Sequence, residues 1–388
     1  MNTSSAPHDL DSALAALEIP ADMLPADGRF GSGPSRVRID QLEQLMTSTA
    51  LGTSHRQGPV RNLVQRLREG LAELLRLPGG YEIVLGNGGS TAFWDIAALC
   101  LIDQRSQHVV IGEFSSSFAA EVTAAPHLQE PILVTAPPGH GAAAASTEDV
   151  DAYAWPHNET STGVLLPVRR PAGARANQLV LVDGTSAAGG VDIDITQTDA
   201  YYFAPQKCLG SDGGLWIAAL SPTAIDRAHR LEERTDRWVP RFLSLVAAIE
   251  NSRKEQTVNT PAIATLELAC AQVDWLNANG GLGFAAARTA RSSSILADWA
   301  QRRPEVAPFV SDPAFRSPVV TTLDIDERID ARAITSVLRD RGIRDIEPYR
   351  KLGRNQLRIA TFPSVPADDV MALTEVLDLM LDTASAVV

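Results

Sequence analysis

The chain has 388 residues, of which 45% are hydrophobic and 21% charged, with a formal net charge of −13 at pH 7. Length and apolar content are those of a folded globular protein of about two domains. The acidic balance argues against nucleic acid or an anionic membrane as a partner, though a local arginine cluster can still serve an anionic small molecule. Three cysteines, Cys100, Cys208 and Cys270, are too few and lack the spacing for a disulfide framework or a metal centre. Residues 1–11 hold no apolar core of signal-peptide type, and no apolar run approaches the roughly 18 residues of a membrane span, so a cytoplasmic protein is expected.

Helices and strands alternate along the chain. Residues 59–75 open on a proline and repeat Leu63, Val64, Leu67, Leu71, Leu74 and Leu75 on one face, which predicts a helix. Residues 81–85 read as a strand, followed by the turn Gly86-Asn87-Gly88-Gly89-Ser90 and a helix over 91–102. A strand is predicted at 108–111 and a helix from about 116. Further strands are expected at 131–134, 152–155, 163–166, 179–182 and 201–204, the last two as continuous apolar runs of a sheet covered on both faces. Residues 139–146 read as a loop. After 222 the pattern turns helical, at 222–234, 241–254, 261–276 and 282–299. It then alternates again, with strands at 319–323 and 356–361 and helices at 330–341 and 367–381. The whole predicts a large α/β domain followed by a smaller one, with the boundary near 270–280.

Of 34 basic residues only Lys207, Lys254 and Lys351 are lysines. Lys207 follows the strand-like Tyr201-Tyr202-Phe203-Ala204 and precedes the turn Gly210-Ser211-Asp212-Gly213-Gly214. Arginine supplies charge but does not form an imine, whereas a desolvated lysine does. A Schiff-base lysine is therefore one reading, and an ordinary surface lysine the other. Asp183 ends the apolar run Leu179-Val180-Leu181-Val182, at the strand end where open parallel sheets bind ligands. It lies about one strand-plus-connection unit before Lys207. A carboxylate there suits a pyridinium nitrogen, as a lysine suits the aldehyde of pyridoxal phosphate. A plain turn aspartate is the alternative. Gly86 to Thr91, between strand and helix, suits a phosphate on helix amides and hydroxyls, without being a Walker loop or a dinucleotide fingerprint. Ser54-His55-Arg56-Gln57 and the basic stretch 349–358 are candidate anion binders. Asn158-Glu159-Thr160 and Asn259-Thr260-Pro261 pass as turn or capping chemistry.

Taken in order, these pieces resemble the phosphoserine aminotransferase family of class-V, fold-type-I pyridoxal-phosphate enzymes. The resemblance runs from Phe30-Gly31-Ser32-Gly33-Pro34-Ser35 to Leu357-Arg358 and rests on Gly52-Thr53-Ser54-His55-Arg56, Asn158-Glu159-Thr160, Asp183, Gln206-Lys207 and Asn259-Thr260-Pro261. It implies a large domain (24–270) with a mostly parallel seven-stranded sheet, and a small α/β domain (271–388 with 1–23). It implies that Lys207 holds the cofactor as a Schiff base and moves the α-proton, that Asp183 pairs with the ring nitrogen, and that Thr160 binds the ring hydroxyl. Phe114 stacks on the ring, and Gly89, Ser90 and Gln206 bind the cofactor phosphate, joined across a homodimer interface by Asn259 and Thr260. His55, Arg56 and Arg350 hold the substrate phosphate and Arg358 the carboxylate, with Arg354 able to share that role. Phe114, Ser90 and Tyr349 stand where the family often has Trp, Arg and His. The activity implied is ping-pong transfer of the amino group of L-glutamate to 3-phosphohydroxypyruvate, a phosphorylated 2-oxo acid, through a pyridoxamine form. A second substrate of the 4-phosphohydroxythreonine type, in pyridoxine synthesis, is left open. The rivals are another class-V enzyme, such as a cysteine desulfurase or a transaminase for small unphosphorylated 2-oxo acids, and a non-catalytic phosphate-binding α/β module. The last cysteine, Cys270, lies in a predicted helix, which disfavours the desulfurase.

Overall fold

The computed structural model describes residues 6–387. In chain order the elements are α1 (Ala6–Ala16), α2 (Ile39–Met46), α3 (Gly58–Leu74), β1 (Glu82–Asn87), α4 (Ser90–Cys100), β2 (Ser106–Val110), α5 (Glu113–Ala124), β3 (Ile132–Thr135), β4 (Ala152–Pro156), β5 (Asn158–Glu159), β6 (Val164–Leu165), β7 (Leu179–Asp183), β8 (Ala200–Phe203), β9 (Leu215–Leu220), α6 (Pro222–Glu232), α7 (Leu245–Ser252), α8 (Ile263–Ala278), α9 (Gly281–Arg302), β10 (Val306–Pro308), β11 (Val320–Ile325), α10 (Ala331–Asp340), β12 (Gln356–Ala360) and α11 (Ala367–Ser385).

Seven strands form one sheet in the order β1-β9-β8-β7-β4-β2-β3. Only β9 runs antiparallel to its neighbours. The expected mostly parallel seven-stranded sheet is therefore present. Apart from the edge strand β3, its strands are largely buried on both faces, and period-2 alternation divides them between two cores. Val180, Val182, Tyr201, Phe203, Ile217 and Ala219 face α3 and α8. Leu179, Leu181, Ala200, Tyr202, Trp216 and Ala218 face α4, α5, α6 and α7.

A third core holds the antiparallel sheet β10-β11-β12 with α10 and α11. Leu10 and Leu14 of α1 and Phe30 join it from the other end of the chain. Helix α9 spans two cores: Leu282 and Ala285 sit with the large sheet, and Leu296 and Trp299 with the small one. Residues 1–5 and 388 of the expected small domain lie outside the described residues.

Several expectations are corrected. The strand expected at 163–166 does not enter the large sheet. Its core, Val164–Leu165, pairs antiparallel with Asn158–Glu159 as a two-stranded hairpin. The helix expected over 241–254 starts as the 3-10 turn Arg241–Leu243, and the α-helix begins only after Ser244, whose hydroxyl accepts from Ala247 N and caps it. Strand β9 and helices α1 and α2 add elements that the sequence reading leaves unassigned. Among the described residues, no helix is long and apolar enough to cross a membrane.

Candidate active site

Four segments converge at one edge of the large sheet. Strand β7 ends at Asp183, β8 leads through Pro205 to Gln206 and Lys207, β4 leads to Asn158, and β1 leads through Gly88 and Gly89 into α4. Carboxyl ends of parallel strands leave a crevice at such an edge. Here the crevice is a cavity of about 340 Å³, and its walls include Gly89, Ser90, Trp94, Phe114, Asn158, Thr160, Asp183, Thr185, Gln206 and Lys207.

Lys207 Nζ donates to the Ser32 carbonyl at 2.5 Å and lies 5.9 Å from the centroid of the Phe114 ring. Gly33 makes room for it. A Cβ at residue 33 would lie 2.7 Å from both Cε and Nζ of Lys207, and the Gly33 φ of +143° disfavours a side chain in any case. Burial first, and then the Arg358 guanidinium, push the Lys207 ammonium down to about 8, against the opposing pull of Asp183.

Asp183 is fixed on both sides. Its Oδ1 accepts from Thr185 N at 2.8 Å and from the Thr185 hydroxyl, and its Oδ2 accepts from Trp94 Nε1 at 3.2 Å. Burial raises its proton affinity above the ordinary carboxylate range, and the Thr185 and Trp94 donors pull the other way. Further polar contacts adjoin it. Asn158 Nδ2 and the Thr160 hydroxyl each donate to Ser186 Oγ at 2.8 Å, and the Ser90 and Thr185 hydroxyls lie 2.6 Å apart. Among the described residues, Gln206 Oε1 and Asn158 Oδ1 are buried without a hydrogen-bond partner. Such atoms are costly unless a ligand satisfies them.

Arg358 reaches the wall residue Thr160 from β12. Its Nη1 donates to the Thr160 carbonyl at 3.2 Å, its guanidinium sits 5.3 Å from the Tyr349 ring, and its buried Nε has no partner among the described residues. Arg354 is differently placed, in a two-pronged ion pair with Asp324 at 2.9 and 2.6 Å.

The remaining expected residues do not line the cavity within this one chain. His55 Nδ1 lies 3.0 Å from the Thr260 hydroxyl. Asn259 Oδ1 accepts from Thr260 N, and the Thr260 carbonyl accepts from Asn87. Arg56 turns to Asn251 and Gln256. Arg350 is exposed and opens the 3-10 turn Arg350–Leu352. Residues that hold the site together but had no role in the sequence reading include the wall residues Trp94 and Thr185, which bind Asp183, and Ser186, which binds Asn158 and Thr160. Thr185 has a local signal, two positions after Asp183 in an Asx-type turn. Trp94 has none, because only the packing of α4 on the face of the large sheet brings the two together.

A family model, aminotransferase class-V, matches residues 36–344. The phosphoserine aminotransferase of a Nocardioides species is 55% identical over 370 residues, 95% of this chain and 99% of that one. Among solved structures, a phosphoserine aminotransferase from Cytophaga hutchinsonii superposes with a TM-score of 0.83 at 22% identity, over 91% of this chain and 99% of that one. A pyridoxal-phosphate-bound phosphoserine aminotransferase from Trichomonas vaginalis gives 0.76 at 17% identity, over 91% and 99%. The two structures speak for the fold; the identity of the Nocardioides relative speaks for the family. With a lysine of lowered proton affinity and a buried aspartate on one cavity, the chain belongs to the class-V aminotransferases and, within them, to the phosphoserine aminotransferase family.

Proposed function

We propose that this chain is a pyridoxal-phosphate-dependent transaminase of serine biosynthesis, passing the amino group of L-glutamate to 3-phosphohydroxypyruvate to give O-phospho-L-serine and 2-oxoglutarate. Within the molecule, the observation that carries the reading is Lys207 and Asp183 on one cavity, with the incompletely partnered Arg358 bonded to the wall residue Thr160. The non-catalytic rival has no use for a buried lysine of lowered proton affinity.

The residues fit the cofactor. Gly89 and Ser90 present an amide and a hydroxyl at the N-terminus of α4, where a phosphate is favoured. Asn158 offers an unpaired oxygen, Gln206 a side-chain amide whose NH2 can donate, Thr160 a hydroxyl, and Phe114 an apolar face. When bound, pyridoxal phosphate supplies an aldehyde for the lysine and an electron sink for charge developing at the substrate Cα. Asp183 would hold the ring nitrogen of the bound group and help it keep a proton, because a charge pair is strong in a low-dielectric site. Lys207, with a proton affinity close to working pH, would accept the substrate Cα proton at Nζ and deliver it to the former aldehyde carbon of the bound group. Arg358 binds the carboxylate shared by both substrates, since Arg354 is already engaged by Asp324.

The substrate phosphate falls to His55, Arg56 and Arg350. The first two lie away from this chain's own cavity, His55 beside Thr260 and Arg56 beside Asn251 and Gln256, and we assign them to the cavity of a second subunit in a cytoplasmic homodimer. Two measurements test this. Turnover with 3-phosphohydroxypyruvate should exceed that with hydroxypyruvate by about 100-fold, the worth of two charge-assisted contacts; equal rates would favour a transaminase for unphosphorylated acids. Mixing Lys207→Ala with Arg56→Ala subunits should restore about a quarter of parental activity, because each mixed dimer holds one intact site. Mixed dimers with no recovery would show that the site is not shared. The same donors suit a second phosphorylated substrate of the 4-phosphohydroxythreonine type in pyridoxine synthesis.

A further inference from the structure

Glu159 is the middle residue of Asn158-Glu159-Thr160, and its side chain is fully buried. Its neighbours Asn158 and Thr160 line the cavity, but its own carboxylate points to α5. Oε2 accepts from Ser115 N at 2.9 Å and from the Ser115 hydroxyl at 2.8 Å. Oε1 accepts from Phe114 N at 3.3 Å, from the Ser161 hydroxyl at 2.7 Å and from Ser161 N at 3.3 Å. The Ser161 hydroxyl in turn accepts from Glu113 N at 3.0 Å. The first-turn amides of α5, Glu113–Ala124, are thus satisfied by the hairpin strand beside the cavity rather than from within the helix. A carboxylate in that position also opposes the positive end of the helix dipole. Gly112 permits the approach. A Cβ there would lie 2.5 Å from Glu159 Cγ and 2.6 Å from Ser161 Oγ.

Two walls of one cavity are therefore joined by one carboxylate, the Thr160 wall and the Phe114 wall. We propose that Glu159 is a positioning residue that fixes the ring of Phe114 over the site and through it the affinity for the cofactor. This rests on the reading of Phe114 as the ring-facing wall. The Phe114 ring faces Tyr349 at a 5.9 Å centroid separation and packs against the core shared by α4 and α5, while its backbone amide at the helix terminus is held by Glu159.

The test is a two-by-two cycle of Glu159→Gln and Phe114→Ala, read as the dissociation constant of pyridoxal phosphate from quenching of tryptophan emission in ligand-free protein. Glu159→Gln keeps the shape but turns one acceptor into a donor facing amides, and should weaken binding by about three- to tenfold. In the Phe114→Ala background the same substitution should change affinity less than twofold, because a residue acting through Phe114 has nothing left to position. Ser115→Ala removes one donor and keeps the charge, and should follow the same pattern at smaller size should Glu159→Gln not fold. Full effects in both backgrounds would reduce Glu159 to a general structural role and overturn the proposal, as would unchanged affinity in folded Glu159→Gln. If Phe114→Ala itself leaves affinity unchanged, the reading of Phe114 fails first, and that outcome is distinguishable from a failure of Glu159 alone.

Discussion

Lys207→Ala should abolish the borohydride-reducible, visible-absorbing adduct and lower turnover by about 10⁴-fold or more, since both the covalent anchor and the base are lost. Lys207→Arg should fail equally. It restores the charge but cannot form the imine, so charge and chemistry are separated by one comparison. Retention of colour and turnover in either variant would overturn the mechanism. The pH dependence follows from the site. Only the neutral amine attacks an aldehyde, and burial with Arg358 brings the Lys207 ammonium down from 10.5 to about 8. The rate of cofactor capture by ligand-free protein should therefore rise with pH to a midpoint near 8. Arg358→Gln removes the second of those causes and should move the midpoint upward. A midpoint unchanged from an exposed lysine would mean that the side chain is not desolvated before the cofactor arrives.

Asp183→Asn is the second large effect. The amide still accepts from Thr185, but it does not hold a proton on a facing ring nitrogen, and the expected loss in turnover is about 10²–10³-fold, that of removing one preorganised electrostatic contact. The same substitution has a stability signature. Burial raises the native pKa of Asp183 above its unfolded value of 3.8. The native state then holds the proton longer than the unfolded state as pH rises. The stability this gives is fully present below 3.8 and is lost as pH climbs through the native value. Ligand-free Asp183→Asn pays no such penalty, so its melting temperature minus that of the parent should grow between pH 4 and pH 7. The amide also sets a donor against Trp94 Nε1, but that cost does not vary with pH. A difference that is flat or shrinking with pH would show that the carboxylate is not desolvated.

How much of this could be read from the chain varies by residue. Strands β7 and β8 were legible because a strand buried on both faces is an unbroken apolar run. Strand β9, Leu215–Leu220, is just such a run, yet it directly follows a glycine-rich turn and meets α6 without a spacer, and only pairing between β1 and β8 gives it its place. The segment 163–166 has strand composition, but its partner is the adjacent 158–159, and two residues of pairing hold it in a hairpin outside the sheet. In the site, Lys207 and Asp183 stood out because few residue types can do their chemistry. Trp94 and Glu159 did not. A tryptophan in an apolar helix and a glutamate in a turn have many bland uses, and their partners lie on elements far apart in sequence.

The sequence by itself determined the class of chemistry: a lone lysine at a strand end, an aspartate one unit upstream, and short motifs in family order. It also determined the unbroken apolar runs that build a doubly covered sheet. Tertiary structure decided which polar atoms are spent and which are free. Arg354 is consumed by Asp324 while Arg358 keeps an unpaired nitrogen, and Glu159 caps a helix rather than facing the cavity. The reason is physical. Residue type fixes what a group is able to do, but proton affinity and free hydrogen-bonding capacity depend on burial and on neighbours that the fold alone brings within 3 Å or so.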